Sequence, residues 1–284
     1  MSRSVAALGS VLAAVVLSGA CSQSPTAPTA TATDGAVVGR VSQEPTSTPA
    51  AIIPNIPPAL GATRFVAFGD SMTCGSPSAF DSLVQITCSP VAGGGYPERL
   101  RAMLTAYSNQ QQFGVTNRGL PGEPAFDGER RLPSELSEFM GGSVPLSLRP
   151  QALLLLEGIN DMNAGVSPAR AAASVVAMVQ TARLFNLTVL VATIPQTYRS
   201  VDSMGVVREN SAAQVPVFNA ELRRLLSGLP NVRLVDLYAA FGTNSYGTYV
   251  GLDGLHLTPA GYDRMAQWFH AAIVDQFPVR GSLQ

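Results

Sequence analysis

Pro150-Gln151-Ala152-Leu153-Leu154-Leu155-Leu156-Glu157-Gly158-Ile159-Asn160-Asp161 is the stretch that decides the fold. Its apolar run, Ala152 to Leu156, is unbroken, begins after Pro150-Gln151 and stops at Glu157-Gly158. The run is too short for a helix and shows no alternation. It reads as a strand buried on both faces, the pattern of parallel sheets covered by helices. Working outward, comparable apolar runs occur at Arg64–Phe68, Phe113–Asn117 (weaker), Leu187–Ile194 and Val232–Leu237. Helical patterns separate them. Ser167-Pro168 is an N-cap with proline at the first helical position, and Val175, Met178, Val179 and Ala182 then share one face. Phe218, Leu222, Leu225 and Leu226 line a second helix that stops at Gly228. Thr258-Pro259 opens the last helix, whose inner stripe is Tyr262, Met265, Ala266, Phe269 and Ile273. Alternation of this kind predicts an α/β domain with a five-stranded parallel sheet, and places the chemistry at the carboxyl ends of the strands.

The first sixty residues belong to another class. Arg3 precedes an apolar stretch, Val5 to Leu17, followed by Ser18-Gly19-Ala20-Cys21. A basic start, a short apolar region and small residues predict an export signal over residues 1–20. The stretch is shorter than the roughly 20 residues a membrane-spanning helix needs. Its end resembles the lipobox of bacterial lipoproteins, in which Cys21 would carry a lipid and attach the chain to a membrane; Ser18 stands where Leu is usual there. Ordinary cleavage near Ala20, giving a freely secreted protein, is the alternative. Residues 21–60, rich in Pro, Thr, Ala and Ser, cannot bury enough apolar surface to offset ordering, and predict a flexible tether. The folded domain is expected over residues 61–284.

Composition narrows the chemistry further. Charged residues make up 13% of the 284, against about 25% in an average domain. All 18 basic residues are Arg, which excludes a Schiff-base lysine, a pyridoxal-phosphate anchor and a phosphate-loop lysine. The net charge is −1 with no basic run, so nucleic acid is not an expected partner. Two histidines, His256 and His270, are too few for a histidine-built metal site.

Four short blocks follow strands or precede the last helix. Gly69-Asp70-Ser71-Met72 places a serine hydroxyl at a tight turn into a helix; the G-x-S-x-G elbow of α/β-hydrolases is absent, since Thr73 stands in the last position. Asn117-Arg118-Gly119-Leu120-Pro121-Gly122 permits close backbone approach and can free an N–H for an anion. Glu157-Gly158-Ile159-Asn160-Asp161 can present the Asn160 amide to a developing oxyanion. Asp253-Gly254-Leu255-His256 brings a carboxylate within reach of an imidazole whose other nitrogen could serve a serine as base. His270 lies beside the core stripe of the last helix and reads as a structural or surface residue.

In this order the four blocks resemble those of the SGNH hydrolases, the GDSL-type esterases and lipases, and the resemblance spans residue 64 to the last helix. It implies a flavodoxin-like three-layer α/β/α fold with a five-stranded parallel sheet. It also implies that Ser71 is the nucleophile, His256 the general base and Asp253 its orienter. The oxyanion hole would comprise the Ser71 N–H, the Gly122 N–H and the Asn160 side chain. The activity implied is hydrolysis of carboxylic esters through an acyl-enzyme, on a small-molecule, lipid or carbohydrate ester, with no metal or organic cofactor required. Glu157 departs from the neutral or small residue common at its position; as a buried partnered acid or a substrate contact it remains open. Cys74 and Cys88, in the loop after the nucleophile, are natural disulfide partners in an oxidising compartment. A carbohydrate O-acetylesterase would use the same residues. A tethered, non-catalytic envelope binding protein is the alternative from another class, and the sequence leaves oligomeric state and substrate open.

Overall fold

The computed structural model describes residues 59–78, 91–108, 110–198 and 210–279. The expected signal, Cys21, residues 21–58 of the expected tether, and Cys88 lie outside them. Leu60 is buried and pairs antiparallel with Pro278, so packed structure already includes the residue before the expected boundary at 61.

Five strands form one parallel sheet: β1 (Arg64–Gly69), β2 (Gly114–Gly119), β3 (Ala152–Leu156), β4 (Thr188–Ala192) and β5 (Val232–Val235). Their spatial order is β2-β1-β3-β4-β5. β3 is central and every residue in it is buried, as its apolar run requires. β2 and β5 are edge strands, mostly half-buried. The chain leaves β1 toward one side of the sheet and later strands add on the other. A crevice therefore opens at the carboxyl ends of β1 and β3, the position at which doubly wound sheets bind ligands. The register sharpens this: Gly69 pairs with Gly119 on one side and with Leu156 on the other, so three strands end level with one another. A Cβ on Gly69 would sit 2.1 Å from the Leu156 carbonyl oxygen, so only glycine lets these three ends lie so close.

Eight α-helices accompany the strands among the described residues: α1 (Ser71–Cys74), α2 (Tyr96–Tyr107), α3 (Ala125–Met140), α4 (Ile159–Asn163), α5 (Pro168–Leu184), α6 (Asn210–Leu226), α7 (Leu237–Phe241) and α8 (Pro259–Gln276). On one face α5 packs against both α3 and α6; α2 and α8 pack together on the other. The result is three layers, α/β/α. Tyr96 of α2 and Phe269 of α8 stack with ring centroids 4.8 Å apart, and both are fully buried. Ser167 and Thr258 cap α5 and α8 as expected, accepting from the N–H groups of Arg170 and Gly261.

Strand ends differ from expectation in physically legible ways. Val232–Leu237 is cut at Val235 because the Asp236 side chain caps α7, accepting from the Ala239 N–H, and Leu237 becomes helical. β2 begins one residue later than expected and runs on to Gly119, so Asn117, Arg118 and Gly119 belong to the strand and the loop starts at Leu120.

Candidate active site

The loops leaving β1, β2 and β3 start side by side, and their first residues make up one site. After β1, Asp70 caps the four-residue α1, its carboxylate accepting from the Met72 N–H at 2.8 Å. Ser71 follows as the first helical residue. Its backbone N–H donates to no protein group among the described residues.

After β2, Leu120-Pro121-Gly122-Glu123 forms a tight turn closed by Glu123 N–H donating to the Leu120 carbonyl at 3.2 Å. Proline at the second position and glycine with φ +79° at the third mark a type II turn. A side chain at Gly122 would meet nothing within 4 Å, so it is backbone conformation, not space, that requires glycine. The Gly122 N–H is likewise without a protein acceptor among the described residues.

After β3, Gly158 (φ +117°) caps α4, where Asn160 and Asp161 grip that same turn. The Asn160 amide donates to the Glu123 carbonyl at 2.9 Å, leaving its second N–H to point elsewhere. Asp161 accepts from the Ala125 N–H at 2.7 Å, at the start of α3.

The fourth block arrives from the loop before α8. His256 Nδ1–H donates to Asp253 Oδ2 at 2.7 Å, and the Ser71 hydroxyl donates to His256 Nε2 at 3.0 Å. The first contact fixes the tautomer that leaves Nε2 as acceptor. The other Asp253 oxygen accepts from the N–H groups of Leu255 and His256 and from the Ser78 hydroxyl, so the carboxylate cannot turn. Tyr262 of α8 donates to the Ser76 carbonyl at 2.7 Å, joining the histidine-bearing side to the nucleophile loop. Ser71 and His256 are 4% and 3% exposed, a desolvated pair in which hydrogen bonds act at low dielectric.

All five residues expected at the site, Ser71, Gly122, Asn160, Asp253 and His256, thus meet around the crevice. His270 does not: it lies on α8 with its ring edge-on to Tyr107, and partial burial lowers its pKa. Cys74 ends α1, is buried and is not a free thiol.

The surroundings hold groups that sequence reasoning did not place. Asp70, Glu123, Glu157 and Asp161 are all buried and influence one another electrostatically. Burial, with Glu123 and Asp161 adding repulsion, pushes Asp70 from its usual 3.8 up to about 7, although the Met72 N–H and His256 counteract it. Burial pushes Glu157 well above the carboxylate range, reinforced by Asp70 and Glu123. Glu123 is held by Arg131, which donates to both its oxygens at 2.7 and 2.5 Å and lies over the Phe68 ring at 3.9 Å. Glu123 adjoins the turn glycine, but its partner eight residues on in α3 follows no recognised motif. Among the described residues no group of three or more His, Cys, Asp or Glu side chains is arranged to hold a metal ion.

Comparison with known proteins agrees with this architecture. The family model described as GDSL-like lipase/acylhydrolase matches residues 67–264. Among solved structures, an inhibitor-bound aryl esterase of M. smegmatis shares 20% identity with a TM-score of 0.59, covering 76% of this chain and 98% of its own. The lipase/acylhydrolase of Enterococcus faecalis shares 20% identity at TM-score 0.55, covering 78% of this chain and 100% of its own. A carbohydrate acetylesterase family member of Sinorhizobium meliloti shares 17% at 0.55, covering 75% and 98%. At such identities the likeness is one of fold. No curated protein sequence matches the chain significantly.

Proposed function

The chain belongs to the GDSL-like lipase/acylhydrolase family, a carboxylic ester hydrolase, and from that premise we propose that it works through Ser71, His256 and Asp253 by way of an acyl-enzyme. The observation that carries the reading is the continuous relay Ser71 Oγ–H to His256 Nε2 and His256 Nδ1–H to Asp253. The Ser71 proton passes to Nε2 as Oγ attacks the ester carbonyl carbon. The carbonyl oxygen, now negative, receives the N–H groups of Ser71 and Gly122 and the free amide N–H of Asn160. The carbon–oxygen bond to the alcohol breaks, and the leaving oxygen takes the proton from His256. Water then repeats the sequence on the acyl-enzyme, delivering its proton to His256 and releasing the acid.

The acyl or alcohol portion is proposed to be apolar. Leu120, the first residue of the Gly122 turn, and Phe126, four residues after Gly122 and neighboured by Arg130 and Arg170, are 47% and 45% exposed. A rim of this kind suits an alkyl or aryl ester better than an acetylated sugar. We further propose export by residues 1–20, lipid attachment at Cys21 and a Cys74–Cys88 disulfide that stiffens the loop after the nucleophile.

Replacing Ser71 by Ala abolishes hydrolysis of short-chain nitrophenyl esters, with the far-UV circular dichroism unchanged. Retained turnover in Ser71→Ala refutes the mechanism. A panel from nitrophenyl acetate to palmitate beside acetylated xylan reads the substrate class, and preference for the xylan would transfer the assignment to carbohydrate O-acetylesterase.

A further inference from the structure

The turn that carries the proposed acid and base is tied mostly to itself. Asp253 Oδ1 accepts from the N–H groups of Leu255 at 3.1 Å and His256 at 3.0 Å, and Oδ2 accepts from His256 Nδ1–H at 2.7 Å. These bonds span only two or three residues. They hold Asp253 to His256 wherever the turn sits relative to Ser71. The contact that matters for the chemistry, Ser71 Oγ to His256 Nε2 at 3.0 Å, joins residues 185 apart and needs a tether of its own.

Among the described residues, Ser78 is the one side chain outside the turn that donates to the Asp253 carboxylate, at 3.1 Å. It follows α1, the helix that Ser71 opens. Its side chain rests directly on Gly251: a Cβ at that glycine would stand 1.8 Å from Ser78 Oγ and 2.0 Å from Ser78 Cβ. Gly251 is not among the glycines with positive φ, so the seat for Ser78, not the backbone conformation, requires glycine there. Gly251 is in turn tied to the catalytic turn, donating to the His256 carbonyl at 2.8 Å and accepting from the Gly254 N–H at 3.0 Å.

We propose that Ser78 is a positioning residue for the acid–base pair: seated on Gly251 and donating to Asp253 Oδ1, it fixes the Asp253–His256 unit against the segment that carries Ser71. The inference rests on the serine esterase reading and adds to it a residue that acts through Asp253. Its contribution is largest once Ser71 has given up its proton. His256 is then an imidazolium, stabilised by a carboxylate that is already aimed at it. Other tethers hold the backbone nearby: the Tyr198 N–H donates to the Gly254 carbonyl at 2.9 Å, and the Tyr262 hydroxyl to the Ser76 carbonyl at 2.7 Å. Loss of the Ser78 hydroxyl therefore leaves the fold in place and releases the carboxylate.

The test compares the wild type with Ser78→Ala, Ser78→Thr, Ser78→Gly, Gly251→Ala and the Ser78→Gly/Gly251→Ala double variant, in the full chain with nitrophenyl acetate as substrate. Ser78→Ala is expected to lower kcat on the order of tenfold, the size of one hydrogen bond to a charged group. KM stays unchanged, because the imidazolium forms only on the way to the transition state. Ser78→Thr keeps the hydroxyl, and its methyl group has room in the cavity of about 310 Å³ that Ser78 lines with Val91, Leu252 and Leu257, so kcat returns close to the wild-type value. Gly251→Ala displaces Ser78 and lowers kcat as Ser78→Ala does. Added to Ser78→Gly, where no side chain is left to displace, it costs no further kcat. Wild-type kcat in Ser78→Ala, a loss carried wholly in KM, Ser78→Thr as impaired as Ser78→Ala, or Gly251→Ala equally harmful with and without the Ser78 side chain overturns the inference. If Gly251→Ala does not fold, Ser78→Ala and Ser78→Thr decide by the same criteria. Turnover by Ser71→Ala would instead overturn the serine reading itself, so the two failures are distinguishable.

Discussion

Replacing Asp70 by Asn should stabilise the protein at alkaline pH and leave it almost unchanged in acid. The Asp70 carboxyl is fully buried; one oxygen accepts from the Met72 N–H and the other has no partner among the described residues. Its pKa lies at about 7 in the folded chain against an ordinary 3.8. The folded state therefore binds the proton more tightly than the unfolded state. Stability falls as pH rises from about 4, and the penalty is complete above about 7. Each pH unit between the two pKa values corresponds to about 1.4 kcal/mol, so a gap of about three units corresponds to about 4 kcal/mol. Asn keeps an oxygen for the Met72 N–H and has no charge to lose. For a domain of this size, about 4 kcal/mol corresponds to about 10 °C in Tm. Paired urea titrations of wild type and Asp70→Asn at pH 4.5, 6, 7.5 and 8.5 read the difference directly, since all other titrating groups are common to both. A gap that widens with pH and levels off near pH 8 is expected. A gap independent of pH, or one that narrows as pH rises, refutes the electrostatic reasoning.

Two further outcomes are expected. Asn160→Ala removes the side-chain donor of the proposed oxyanion hole and should lower kcat by roughly 10²–10³-fold with little change in KM, in steady-state ester hydrolysis. Thr258→Ala removes the oxygen that accepts from Gly261 N–H at 3.1 Å; by calorimetry it should cost about 1 kcal/mol, or about 3 °C in Tm, with kcat unchanged.

How much could be read beforehand depended on whether a signal was local. β3 was legible because burial on both faces leaves an unbroken apolar run. Ser71, Asp253 and His256 stood out only in combination, since each block alone reads as an ordinary turn and it is the order of the four blocks, with its resemblance to the GDSL-type hydrolases, that points to them. β2 was weak because an edge strand of Gly-Val-Thr-Asn-Arg-Gly is half-buried and polar, and its true end at Gly119 is set by pairing with Gly69. α3 gives no clear sequence signal, since Pro133 interrupts its helical pattern although four apolar or small residues on one face are buried. Asp236 was absorbed into a strand because a cap acts through one side chain that hydrophobic periodicity does not register. Glu123, Arg131 and Ser78 were missed for a different reason. Their partners lie across the tertiary structure, with Ser78 reaching Asp253 from 175 residues away.

The grouping of four buried carboxyls behind a proposed oxyanion hole poses an electrostatic problem that the protonation pattern resolves. Were Asp70, Glu123, Glu157 and Asp161 all ionised, their field would oppose negative charge developing on the substrate carbonyl oxygen. Arg131 balances Glu123, and the Ala125 N–H at the start of α3 faces Asp161, where a helix N-terminus favours an anion. The remaining two are paired with no arginine among the described residues, and burial raises the pKa of both. A raised pKa at Glu157, and at Asp70 below about pH 7, lessens the negative field acting on the oxyanion. The same carboxyl touches stability and chemistry in different pH windows: stability falls between about pH 4 and 7, where only the unfolded chain has released the proton, whereas above about 7 the folded chain carries a buried negative charge at Asp70 that opposes the oxyanion. Asp70→Asn should therefore flatten the stability profile between about pH 4 and 7 and lessen the decline of kcat above about pH 7.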